Sequence, residues 1–174
     1  EDSLVVFVNR GGRVGGRILL GREQYLLRPG RYAAHVLSEV VSDRLPDPSP
    51  PLVAPAPRSM ADEDPSEGAV ADDGSVIDIV ILYTDDAEAE SSDILLEIQE
   101  AVDVTNEVFL NSQVLTRLRL AHAARVDYAE TGDAKTDLER LTDPGDGLLD
   151  VAHTLRDEHC ADLVDLIIAD DVDT

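Results

Sequence analysis

Hydrophobic and polar positions divide the chain into two patterned stretches with an unpatterned stretch between them. The first stretch contains three short runs rich in apolar and β-branched residues, at 4–8, 14–20 and 24–28. Turns that contain glycine separate these runs, which predicts a small β-meander. Residues 33–41 fit either a further strand or a short helix, so both stay open at this point.

The unpatterned stretch covers residues 46–75. Six prolines lie in the twelve positions 46–57, and six acidic residues with many small residues fill 59–75. Such a composition cannot build a core and predicts an extended linker that is open to proteases. The chain therefore divides into a β unit at 1–45, a linker at 46–75 and a second unit at 76–174.

The second unit opens with a strand and a long helix. Residues 76–83 are almost continuously apolar and β-branched, which predicts a strand buried on both faces. Residues 87–112 repeat apolar side chains at helical spacing, which predicts one long amphipathic helix. Its opposite side is acidic and is expected to face solvent. Those acidic residues are Glu90, Asp93, Glu97, Glu100, Asp103 and Glu107.

The remaining pattern alternates strands with helices. Residues 116–128 alternate as a half-buried strand, helices are predicted at 134–141 and 148–159, and 162–169 form a second buried strand. Apolar strands joined by helical crossovers predict an α/β fold with a sheet covered by helices. In the strand at 116–128, the predicted inward positions are Leu118, Leu120, His122, Ala124 and Val126. In the helix at 148–159, they are Leu148, Leu149, Ala152 and Leu155.

Charge adds a second division of the chain. The 174 residues carry 37 Asp and Glu against 14 Lys and Arg, a net charge of −23. Residues 1–45 have a net charge of +2, whereas 46–174 have −25. This acidity excludes nucleic acid as a partner and argues against an anionic membrane surface. It fits either solubility at high salt or a genome that favours arginine over lysine, and the sequence does not separate the two.

Candidate catalytic residues are few. The histidines His35, His122, His153 and His159 form no metal-binding motif, and His122 fits a core position better than a ligand. The single cysteine, Cys160, fits equally a buried thiol and a partner for a cysteine further along the protein. The residues alone therefore predict no complete active site.

Several segments in one order resemble the reprolysin-like metzincins, a family of secreted zinc metallopeptidases. The segment Ile-Asp-Ile-Val-Ile-Leu-Tyr-Thr at 77–84 is similar to their opening strand, and 102–112, with its Thr-Asn pair, is similar to their first long helix. Residues 14–18 and 25–29 resemble the end of the propeptide that precedes such domains. The later segments that match in order are 118–122, 126–128, 136–141, 146–150, 156–158 and 161–164.

This resemblance implies a metzincin-like N-terminal subdomain with a mixed, mostly parallel sheet and long helices, preceded by a propeptide-like β unit. The full-length protein would be an extracellular zymogen that hydrolyses peptide bonds in proteins with a bound zinc ion. The family's zinc helix, H-E-x-x-H-x-x-G-x-x-H, is absent, so no catalytic residue or zinc ligand is expected in this chain. The fragment is expected to be inactive without its downstream catalytic half.

The resemblance also implies one possible calcium ligand, Asp78, since animal members of the family bind calcium near the domain termini. The alternative function, from a different class, is a non-catalytic acidic α/β domain for calcium-dependent binding or adhesion. The sequence that follows Thr174 would separate the two, because only the peptidase requires a zinc helix there.

Overall fold

The structure is a computed structural model that describes residues 3–41 and 74–169. It contains an antiparallel four-stranded sheet, here called the β-meander, and a parallel three-stranded sheet flanked by helices. The strands of the β-meander are β1 (Ser3–Arg10), β2 (Arg13–Leu20), β3 (Glu23–Pro29) and β4 (His35–Val40). The second unit comprises β5 (Val76–Tyr83), α1 (Asp85–Glu90), α2 (Ile94–Asn111), β6 (Arg117–Arg125), α3 (Ala134–Thr142), α4 (Val151–Glu158) and β7 (Leu163–Ile167).

The β-meander confirms the three predicted strands and decides the open segment at 33–41 in favour of a fourth strand. Its strands pair in sequence order, β1-β2-β3-β4, because each connection is too short for anything but a hairpin or a brief turn. Gly11 and Gly12 both have positive φ, as a two-residue hairpin turn requires. Gly16 lies under the Phe7 ring: a Cβ there would come within 2.4 Å of the Val6 carbonyl oxygen.

The second unit confirms the α/β class. Its sheet has the order β6-β5-β7, and both described strand pairs are parallel. Side chains of β5 alternate between two cores, as expected for a central strand covered on both faces. Ile81 and Tyr83 pack with Ile94, Ile98 and Val102 on the α2 side. The core on the other face contains Val80, Leu82, Val126, Tyr128, Leu141, Leu149 and Ala152.

The single helix predicted at 87–112 is wrong, because the chain forms two helices with a break between them. The Asp93 side chain accepts a hydrogen bond from the Leu96 amide and so caps α2, while the Ser91 hydroxyl accepts one from the Asp93 amide. Ser and Asp compete with the helical backbone for such bonds, which is why they end one helix and start the next. Thr84 caps α1 in the same way through the Ala87 amide.

The predicted faces of β6 and α4 also need correction. A bulge at Ala121 shifts the register, since Ile79 lies opposite Leu120 and Val80 opposite His122. One extra residue exchanges the two faces of a strand. Leu118 and Leu120 therefore pack on the α2 side, whereas Ala124 and Val126 pack in the opposite core. Helix α4 begins only at Val151, so Leu148 is exposed rather than inward-facing.

The predicted domain limits stay a prediction. The linker at 46–75 falls outside the described residues except for Gly74 and Ser75. Within the described parts of the chain, no helix has the length and apolar character needed to cross a membrane.

We expect Gly16→Ala to destabilise the β-meander, because the new methyl group must displace the Phe7 ring and the backbone of β1. Overpacking of this kind costs about 1–3 kcal/mol, measurable as a loss of the free energy of unfolding in urea. Gly145→Ala is the matched control, since a Cβ at Gly145 meets nothing closer than 3.9 Å. Equal stability of the two variants would contradict the expectation.

Candidate functional site

The β-meander lies against α2, and opposite charges meet at the contact. Arg28 on β3 donates to Glu100 Oε2 through Nη1 at 2.6 Å, and its Nε lies 3.2 Å from Glu97 Oε1. Arg17 on β2 approaches the other oxygen of Glu100, with its Nε 3.7 Å from Oε1. Only 2% of the Glu100 side chain is exposed. We call this contact between the β-meander and α2 the arginine–carboxylate interface.

The interface extends to the N-terminus of α2. Arg13 Nε lies 3.1 Å from Asp93 Oδ2, and Arg13 Nη2 donates to the Ser92 carbonyl oxygen at 2.6 Å. Arg10 adds a longer contact of 3.8 Å to Asp93 Oδ1. Asp93 therefore caps α2 and also binds the β1–β2 hairpin, so the break between α1 and α2 is part of the interface.

Close approach of the backbone makes this contact possible. A Cβ at Gly15 of β2 would lie 2.9 Å from Leu96 Cδ2 and 3.5 Å from Glu100 Oε2. Only glycine lets the strand lie this close to the helix. Leu96 is fully buried beneath Gly15, so the interface has an apolar part between its charged pairs.

The prediction that the acidic side of the long helix faces solvent is therefore wrong at its central residues. Asp93 and Glu100 are largely buried, and Glu97 is partly covered by Arg28. Helical spacing locates acidic side chains on one face but does not reveal that another part of the chain supplies arginines to that face. The net charge of +2 in residues 1–45 was the signal in the sequence that could have revealed the partner.

Asp78, the predicted calcium ligand, is engaged by an arginine. Arg119 on β6 donates to both carboxylate oxygens, from Nε at 2.5 Å and from Nη2 at 2.6 Å. This hydrogen bonding lowers the pKa of Asp78 and outweighs the opposing effect of burial. A cation at Asp78 would have to replace the guanidinium, and the calcium role stays a prediction.

The histidines and the cysteine form no metal site in the part of the chain that the structure describes. His122 and His159 stack with their ring centroids 4.1 Å apart, while His35 lies exposed on β4. Cys160 is exposed, which contradicts the buried-thiol interpretation. Among residues 3–41 and 74–169, no group of three or more His, Cys, Asp or Glu side chains could hold a metal ion.

Two acidic residues that the sequence did not single out, the buried Asp137 and the partly buried Glu130, accept hydrogen bonds near the carboxyl ends of the parallel strands. Asp137 Oδ1 accepts hydrogen bonds from the Tyr128 hydroxyl and from Thr131 Oγ1, the latter at 2.8 Å. Burial and this hydrogen bond raise the pKa of Tyr128. Glu130 Oε1 accepts from the Thr84 hydroxyl and from the Ala169 amide at 2.9 Å, so it joins the carboxyl ends of β5 and β7.

Comparison with known proteins shows that the chain is similar to proteins named metalloendopeptidases. Similarity at 33% identity over 162 residues, 91% of this chain, relates it to the "Peptidyl-Asp metalloendopeptidase" of Xanthomonas campestris pv. campestris. Proteins of the same name from Stenotrophomonas maltophilia strains K279a and R551-3 are each 33% identical over 169 residues, 94% of this chain.

The chain spans only about two fifths of these relatives, 39% of the first and 40% of the other two. No protein-family model and no solved structure matches it. The names of the relatives support a relationship to metallopeptidases and imply a metal ion for the class.

We expect Arg119→Gln to raise the pKa of Asp78 towards the ordinary aspartate value, because the strongest stabilisation of the carboxylate is lost. A pKa that is lower in the folded protein adds stability above the unfolded pKa and loses it as the pH falls through the folded value. The variant should therefore lose less stability on acidification. Carboxylate-detected NMR titration measures the change, with Arg156→Gln, which removes an exposed pair with Asp157 on α4, as control. An unchanged Asp78 titration would refute this role of Arg119.

Proposed function

We propose that the chain is the propeptide end and the first half of the catalytic domain of a secreted zinc metalloendopeptidase of the reprolysin-like metzincin type. The observation that carries the proposal is the similarity over more than nine tenths of the chain. A match of 162 residues is longer than either described unit, 3–41 or 74–169, and so must include parts of both. The metalloendopeptidase relatives thus support a single protein in which a β unit precedes an α/β unit.

The described residues do not fit a catalytic zinc site, since they bring no three metal-binding side chains together. The full sequence also lacks the H-E-x-x-H motif, and we therefore assign the zinc ligands and the general base to the part of the full-length protein outside this chain. Within this proposal, residues 74–169 supply the parallel sheet and α2 as a scaffold, and the chain alone neither binds catalytic zinc nor cleaves peptides.

The substrate in this proposal is a peptide bond at aspartate, because the relatives carry the name peptidyl-Asp metalloendopeptidase. The same specificity would apply to the predicted linker, whose aspartates are Asp47, Asp62, Asp64, Asp72 and Asp73. We propose that activation of the zymogen includes cleavage at these aspartates by the enzyme itself.

The test compares the full-length protein with the 174-residue chain on matched peptides that contain Asp or Asn at one position. We expect the full-length protein to cut the Asp peptide at least about tenfold faster, because a site built for a carboxylate rejects its neutral analogue. Removal of the metal should abolish cleavage, and added Zn²⁺ should restore it.

Mass spectrometry of the full-length product should place the new N-terminus within 46–75. The 174-residue chain should be inactive with or without Zn²⁺. Cleavage by this chain alone, or metal-independent cleavage by the full-length protein, would contradict the proposal.

A further inference from the structure

We propose that the β-meander is a docking unit that stays bound to α2 after the chain is cut between the two units. Its release then depends on salt, because arginine–carboxylate pairs hold it in place. The inference rests on the proposed function only in taking that cut as the activating one; the docking itself follows from the contacts.

Net charge favours the association of the two separated units. Residues 3–41 contain six arginines and two acidic residues, a net charge of +4, whereas 74–169 contain six basic and 22 acidic residues, a net charge of −16. Helix α2 has no basic residue at all. Opposite net charges accelerate encounter and keep the partners in register, and this attraction weakens with ionic strength.

The contacts of the interface join the two units and do not lie within either of them. Arg28 binds Glu97 and Glu100, Arg17 approaches Glu100, and Arg13 binds the N-terminus of α2. None of these pairs uses the covalent connection between residues 41 and 74. Cutting that connection therefore removes none of the residues that form them.

The β-meander also offsets repulsion between acidic side chains on α2. Glu97 and Glu100 are three residues apart on one helix face, and Asp93 is four residues before Glu97, so their charges repel one another. Arg28 lies between Glu97 and Glu100 and removes this repulsion. Departure of the β-meander would restore the repulsion and expose Leu96 as well.

The strength of binding between the β-meander and α2 and its dependence on salt are controlled by different charged pairs. Arg28 is mostly buried against Glu100, and such a pair is screened little by salt, so it controls the dissociation rate. Arg10 and Arg13 are about half exposed, so salt reaches their pairs with Asp93. High salt should thus loosen the outer part of the interface first and shift the balance towards release.

The experiment uses the 174-residue chain with a recognition sequence for a specific protease introduced between residues 46 and 75. After cleavage, size-exclusion chromatography and a fluorescent label on the β-meander measure whether the two pieces stay together. We expect one complex at about 0.05 M NaCl and a dissociation constant about tenfold weaker at about 1 M NaCl. Separation of the pieces at low salt, or equal affinity at both salt concentrations, overturns the proposal.

Two variants test which pairs carry the binding. We expect Glu100→Gln and Arg28→Ala each to weaken the cut complex about 100-fold, because each removes the shortest charged pair of the interface and leaves the remaining charge, largely buried, with only its longer contact. Glu139→Gln on α3 and Arg22→Ala in the exposed β2–β3 turn remove the same charges elsewhere and should change the affinity less than about twofold. Equal effects of Glu100→Gln and Glu139→Gln overturn the assignment.

Circular dichroism of the uncut variants checks that they fold, and the salt titration of the unmodified complex decides the proposal if they do not. The readout is binding and not peptidase activity. A full-length protein without peptidase activity would therefore refute the proposed function. The docking proposal would still be decided by the binding measurements alone.

Discussion

The buried carboxylate of Glu100 constrains the arrangement of the two units more than any other single group. A carboxylate that is 2% exposed loses nearly all of its hydration, and this cost is offset only when partners with opposite charge are held close to it. Arg28 and Arg17 are those partners, and both come from the β-meander. Glu100 meets both arginines only if β2 and β3 pair in this register and if Gly15 lets β2 lie close to α2.

The same constraint links the interface to the core of the second unit. Helix α2 presents Ile98 and Val102 to the parallel sheet and Glu100 to the β-meander, so it packs on both sides. Its position relative to β5 fixes where Glu100 can meet Arg28. At the carboxyl end of β5, Glu130 ties the strand end to β7 through Thr84 and Ala169. Polar contacts of low exposure thus hold the strand ends together and bind the β-meander to α2.

Local patterns were sufficient to predict the strands and the α/β class. The apolar run at 76–83 indicated a central strand, and β5 is buried on both faces at Val80–Tyr83 as that run implied. Three features could not be read from periodicity. The capping role of Asp93 competes with an otherwise continuous helical pattern, and the bulge at Ala121 changes register without any glycine or proline to mark it.

The third feature, the burial of Glu100, shows why the candidate site was the least predictable part. Sequence periodicity describes each element by itself, whereas a buried charge depends on a partner 72 residues away in the chain. The contrast between a basic first unit and an acidic second unit was visible as composition. Composition alone indicates that the two units attract each other, but it does not identify which residues are in contact. Gly15 lets the strands that carry Arg17 and Arg28 lie close to α2. The opposite net charges of the two units can therefore form specific pairs with Glu100. Charge asymmetry along a chain becomes structural information where small residues allow the two charged surfaces to meet.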